Sequence, residues 1–201
     1  DDTFKVAPNN IEILMQLGML YTVAKKPDKA IDNYNRVLAQ DSAAWLALRG
    51  RADALLNQGK QSEAVVDYET ALKIKADDPS ILNNLAWVLA TSPNDQLRNG
   101  KRAVELAESA CKVTEFKQAH ILSTLAASYA ESGDFEKAVE WSAKAVTLGK
   151  GAVKNQLSKE LESYKEHKPW REAIASDALL TDDSETDAAS EPDADSAESN
   201  P

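Results

Sequence analysis

The chain has 201 residues, 43% of them hydrophobic, with 33 Asp and Glu against 23 Lys and Arg, a net charge of −10. That length supports one ordinary domain or an array of small repeats; no apolar run is long enough to span a bilayer, and the acidic balance excludes a nucleic-acid backbone as the main partner. The single cysteine, Cys111, excludes an internal disulfide framework and a thiolate zinc cage, while scarce Gly and Pro beside abundant Ala, Leu, Glu and Lys predict an all-α chain.

Taken in chain order, four stretches carry the same landmarks. The first supplies Leu14, Leu17, Gly18 and Tyr21, then Ala30 and Tyr34. The second supplies Trp45, Leu48, Ala52 and Leu55, then Ala64, Tyr68 and Ala71. The third supplies Leu82, Leu85, Ala86 and Leu89, then Ala103, Ala107 and Ala110; the fourth, Leu122, Leu125, Ala126 and Tyr129, then Ala138 and Ala145. Leu82, Leu85, Ala86 and Leu89 fall at i, i+3, i+4 and i+7, one apolar helix face. The recurring Gly and Ala mark where two antiparallel helices cross most closely, because any side chain beyond a methyl would push the backbones apart. Gly18 is therefore expected to meet Ala30, and Ala52 to meet Ala64. The turn-forming stretches Lys26-Pro27-Asp28-Lys29, Gln58-Gly59-Lys60 and Ser132-Gly133-Asp134 separate the helices of a pair, and Asp78-Pro79 suits an N-cap and first turn.

These positions, repeating every 34 residues from Gly18 to Ala52 to Ala86, resemble the tetratricopeptide repeat (TPR) family. The resemblance covers residues 11–149, divided about 11–44, 45–78, 79–117 and 118–149, and implies a right-handed α-solenoid of about four helix hairpins. Arg51 departs from the family's usual Leu, and Ser142 from its aromatic. The third unit is longer: Ala86 and Ala103 are 17 positions apart where the other pairs are 12 apart, placing a five-residue insertion within Thr91 to Gly100. The text NNLAWVLATSPND…RNGKRAVELAESAC is similar to a bacterial TPR variant with a lengthened turn, read as a locally packed loop with a partner-contacting excursion as the alternative.

Residues 1–10 are expected to be the remnant of an upstream repeat or an entry segment, since Phe4 to Asn10 match the end of a preceding unit with Pro8 at its closing proline. A fragment or processed product follows from that reading. Residues 150–175 are expected to form a capping helix, amphipathic from Ala152 to Lys168, with Trp170 folding back against it; a solenoid needs such a cap to cover its last apolar face. Residues 176–201 hold nine acids and no Lys or Arg, which leaves 24 acids against 23 bases in the rest of the chain. This tail is expected to be a disordered acidic spacer, with a docking segment as the alternative.

No catalytic motif emerges. Gly149-Lys150-Gly151 lacks the spacing of a phosphate loop, and Ser109-Ala110-Cys111-Lys112 matches SxxK without its companions. His120 and His167 stand far apart without ligand patterns, Cys111 reads as a small hydrophobe, and no carboxylate pair stands out as acid and base. The chain is therefore expected not to be an enzyme and to hold no cofactor or metal.

The remaining resource is surface. In the TPR frame the first helix of each hairpin lines a concave groove, and the resemblance places Met15, Gln16 and Met19 there from unit one. Arg49, Asp53 and Asn57 follow from unit two, Asn83, Asn84 and Trp87 from unit three, and His120, Ser123 and Thr124 from unit four. Asn83 and Asn84 can grip an extended main chain, Met15, Met19 and Trp87 offer apolar contact, and Arg49 could hold a carboxylate. Trp87 has a second reading, packed between neighbouring units. The TPR clamp for the carboxyl terminus of heat-shock chaperones is not matched: its positions hold Met15, Met19, Gly50, Ser80 and Asn84, with one asparagine and no lysine. The expected function is a non-catalytic scaffold binding a protein or peptide partner. The alternatives are an accessory region of a larger enzyme and a structural array whose ends self-associate into homo-oligomers. No nucleic acid and no direct membrane insertion are expected; the compartment is left open between the cytoplasm and export after removal of an N-terminal segment.

Overall fold

The computed structural model describes residues 10–172. The expectations for residues 1–9, for the acidic tail and for the last three residues of the capping segment lie outside the described residues. Among these there are nine helices and no strand: α1 (Ile11–Val23), α2 (Pro27–Leu38), α3 (Trp45–Leu56), α4 (Gln61–Ile74), α5 (Pro79–Thr91), α6 (Gly100–Val113), α7 (Ala119–Glu131), α8 (Phe135–Leu148) and α9 (Gly151–Lys165). None is long and apolar enough to cross a membrane.

Local chemistry sets the helix ends. The Asn10 side chain accepts from the backbone N–H of Glu12 and Ile13, and Asp78 does the same for Ser80 and Ile81, with Pro79 pre-set at the first position. Asn99 and Asp134 cap α6 and α8 by accepting from the N–H of Arg102 and Lys137. Gly59 and Gly133, at φ +72° and +87°, close the hairpin turns of the second and fourth pairs in the left-handed region that other residues rarely adopt.

Consecutive helices pack as hairpins, and the hairpins stack as an all-α solenoid. The odd-numbered helices line one wall, where α1 touches α3 and α5 touches α7. The alanines between paired helices are sealed: Ala30, Ala52, Ala64, Ala86, Ala103, Ala126 and Ala138 have no exposed surface. At Gly18 the intimate neighbour is the Tyr34 ring rather than Ala30, since a Cβ there would lie 2.5 Å from Tyr34 Cε1. On the next hairpin a Cβ at Gly50 would press into the same ring at Cζ. The buried Tyr34 ring is thus wedged between α1 and α3, using the missing side chain of a glycine on each. Tyr68 stands one unit on from Tyr34, with Ala52 and Asn84 at the places of Gly18 and Gly50.

Arg51 has a clear reason to depart from an apolar residue. Its Nε and Nη2 each lie 2.7 Å from a carboxylate oxygen of buried Asp67 on α4, and its Nη1 donates to Asn35 of the preceding hairpin. A bidentate guanidinium replaces apolar contact and ties two units together. Ser142 is buried on α8. The inserted loop is tightly packed. Ser92 donates to Gln61, Arg98 bonds Glu131 and the Ser92 carbonyl, and Gly100 sits so close to Ser132 that a Cβ would lie 2.6 Å from its backbone nitrogen.

The Tyr34 wedge gives a direct test. Gly50→Ala would force a buried ring to move, so we expect a stability loss of about 1–3 kcal/mol in denaturant unfolding. Unchanged stability would contradict the wedge.

Candidate functional site

Two clefts run along the wall made by α3, α5 and α7. The first, about 300 Å³, has Arg49 and Asp53 of α3 on one side, Ser80, Asn83 and Asn84 of α5 beneath, and Gln118 and His120 at the start of α7. The second, about 330 Å³, shares Asn83, Asn84 and His120 and continues past Trp87, Ser123 and Thr124 to Val153, Gln156, Leu157 and Glu160 of α9. The shared residues make them one groove with a polar end and a more apolar end.

Asp53 is the electrostatic centre of the polar end. Its Oδ1 accepts from the Tyr68 hydroxyl and, at 3.1 Å, from Asn84 Nδ2. Burial pushes its carboxyl above the usual range, and these two hydrogen bonds oppose that shift by favouring the charged form. Burial likewise raises the Tyr68 phenol, with Asp53 adding to the shift. Arg49 does not wait for a carboxylate: it lies 3.5 Å from Asp78 and 5.7 Å from the Trp45 ring centre. Burial lowers the His120 pKa, favouring the neutral imidazole.

At the other end α9 covers α7. Ser123 Oγ donates to Glu160 at 2.5 Å, Gln156 donates to the other carboxylate oxygen at 3.3 Å, and Thr124 Oγ1 donates to the His120 carbonyl. Burial raises the Glu160 pKa, and the bonds from Ser123 and Gln156 oppose the shift. The two α7 hydroxyls are thus engaged and buried within the groove wall.

The chain after α9 also reaches this wall. Trp170 packs against the main core, Arg171 Nη2 lies 2.6 Å from Glu131, and the Glu172 N–H donates to the Thr91 carbonyl at 3.0 Å. Trp87 is half-buried against the same core, and its indole N–H donates to the Glu172 carboxylate at 3.1 Å.

Of the twelve residues read from sequence, eight line the groove: Arg49, Asp53, Asn83, Asn84, Trp87, His120, Ser123 and Thr124. Met15, Gln16, Met19 and Asn57 do not. Met15 packs on the first hairpin's core, while Gln16, Met19 and Asn57 are exposed beyond the clefts. Sequence reasoning missed the contribution of α9 and of the Arg171-Glu172 segment. The apolar spacing of Leu157, Leu161 and Tyr164 shows that α9 has a buried face, but nothing local shows which helices that face covers. Also unforeseen is an apolar cleft of about 470 Å³ where Phe116 stacks on Trp141 at 5.4 Å and Lys144 lies 3.9 Å over the same indole.

Cys111 is sealed, with its thiol pushed up to about 12 by burial and then by Glu108. His167 sits in a left-handed turn after α9 and stacks on Phe135 at 5.1 Å. Among the described residues no three His, Cys, Asp or Glu side chains are grouped so as to hold a metal ion.

These helix hairpins, stacked around small crossing residues and presenting one groove, define a helical-repeat interaction scaffold. A family model described as a TPR repeat matches residues 52–91, and one described as a tetratricopeptide repeat matches residues 119–148. These two matches support a tetratricopeptide-repeat protein. No curated protein matches it in sequence. Similar solved structures include MamA from Desulfovibrio magneticus RS-1, at 17% identity over 88% of this chain and 97% of that one, with a TM-score of 0.62. PilW, described as a widely conserved type IV pilus biogenesis factor, is 19% identical over 85% of this chain and 81% of that one, TM-score 0.60. A thermophilic TPR protein in Thermus thermophilus is 16% identical over 80% of this chain and 84% of that one, TM-score 0.59. At these identities the likeness is one of fold.

Glu160 gives a test of the groove wall. Because its pKa is raised on folding, the folded chain holds that proton to higher pH than the unfolded chain, and stability falls as pH rises from the ordinary carboxylate value through the raised one. Glu160→Gln can still donate to Ser123 and accept from Gln156. We expect its thermal midpoint at neutral pH to match or exceed the parent's, with a shallower fall from acid to neutral pH. A lower midpoint with an unaltered slope would contradict this.

Proposed function

We propose that the protein is a non-catalytic scaffold that holds an extended segment of a partner protein in the groove of α3, α5, α7 and α9. In this reading the four hairpins of residues 11–149 are the repeats, and α9 is the cap that closes the groove. One observation carries the proposal: two adjacent amides, Asn83 and Asn84, lie on the wall common to both clefts, one helical turn from a half-buried indole. Amides satisfy the main chain of a peptide whatever its sequence, and an adjacent tryptophan supplies apolar anchorage. The groove's ionisable groups act as hydrogen-bond anchors rather than as an acid–base pair. Asp53 is held by Tyr68 and Asn84, and Glu160 by Ser123 and Gln156.

The experiment is affinity capture by the intact chain, with each retained protein then titrated by calorimetry. Trp87→Ala combined with Asn84→Ala should weaken partner binding by about 2 kcal/mol or more, with helicity by circular dichroism unchanged. Equal affinity for the parent and the double variant would remove the groove as the binding surface.

A further inference from the structure

We infer that the polar end of the groove is a receptor for a cationic side chain, Lys or Arg, of the segment it holds; this rests on the peptide-binding reading above. The argument starts from the direction of three hydrogen bonds. A carboxylate can only accept, so Asn84 must turn its NH₂ towards Asp53, where the distance is 3.1 Å. Its Oδ1 then faces the other way and accepts from Asn83 Nδ2, also at 3.1 Å. Turning either amide over would set two acceptors or two donors against each other, so Asp53 determines the orientation of both. The relay ends at Asn83 Oδ1, which has no donor although Asn83 is only 9% exposed. Buried acceptors in folded proteins are nearly always satisfied, and this one belongs to a residue lining both clefts.

The lining of the same cleft holds a second acceptor, the Asp53 carboxylate. The Tyr68 and Asn84 donors both converge on Asp53 Oδ1, so its other carboxylate oxygen takes neither. Among the described residues lining this cleft Arg49 is the one Lys or Arg; it lies 3.5 Å from Asp78 and also acts on Asp53, so two carboxylates share one guanidinium. Partial burial lowers the His120 pKa, which favours its neutral form. An ammonium or guanidinium entering here gains charge-assisted hydrogen bonds and supplies the missing donors. A carboxylate would face Asp53 instead, so the nine acids after Ser176 have the wrong sign for this cleft. The next residues of such a segment would run past Asn84 towards Trp87 and Leu157, which favours an apolar neighbour to the cation.

The test uses the full chain and synthetic extended peptides matched in length and apolar content, differing only in a central Lys, Arg, norleucine or Glu. Tryptophan fluorescence titration should show Lys and Arg peptides binding at least about tenfold tighter than norleucine or Glu peptides, with the advantage shrinking as salt rises. Asp53→Asn keeps a carbonyl for Tyr68 and Asn84 but turns an amide donor into the cleft. It should abolish the preference for cations, so that within this variant Lys and Arg peptides bind no tighter than the norleucine peptide. Arg49→Gln should sharpen the preference, and it tests the charge argument without touching the relay. Binding indifferent to the central residue, or cation binding undiminished in Asp53→Asn, would overturn the cationic receptor while leaving peptide binding standing. Failure of every peptide to bind would overturn both readings together.

Discussion

The helices of this protein cross at small residues, and Tyr34 shows what that closeness accomplishes. Its ring occupies space released by Gly18 on its own hairpin and by Gly50 on the next, so one side chain joins two repeats. Interiors packed to crystalline density tolerate little adjustment. Arg51 reinforces the same joint with charge, bridging Asp67 and Asn35 across units. The groove therefore rests on a rigid wall, and its polar groups are held by residues that also hold the stack.

Tyr68 connects the core to the site. It occupies the place in the second unit that Tyr34 has in the first, yet its hydroxyl donates to Asp53, and Asn84 stands where the first joint has Gly50. A packing device thus becomes an electrostatic one by the addition of a carboxylate and an amide. Burial makes that carboxylate costly to ionise, and Tyr68 and Asn84 offset part of the cost.

At the far end, α9 and the residues after it alter what a bare repeat array would present. Glu160 ties α9 to Ser123, Arg171 joins Glu131, and Glu172 accepts a hydrogen bond from the Trp87 indole N–H. Trp87 packs against the core and also lines the second cleft. The apolar end of the groove is partly built from this chain's own C-terminal segment, which narrows the open surface towards α3 and α5.

The sequence by itself determined the helical class and the pairing of successive helices, because these follow from short-range causes. Asp78 as a cap and glycine in the hairpin turns act within a few residues of their own position, and Ala and Gly at the crossings join helices adjacent in the chain. The tertiary structure alone decided which wall residues are open. Ser123 and Thr124 share a helix face with His120, yet α9 covers the first two and leaves His120 exposed. Met15 and Met19 match the groove frame but lie beyond both clefts, while Arg49 is already committed to Asp78. Pairings such as Arg171 with Glu131, or Asp53 with Asn84, join residues more than 30 positions apart, and no local pattern carries them. Helix periodicity gives each side chain a direction; only the stacking of one hairpin on the next gives it a neighbour.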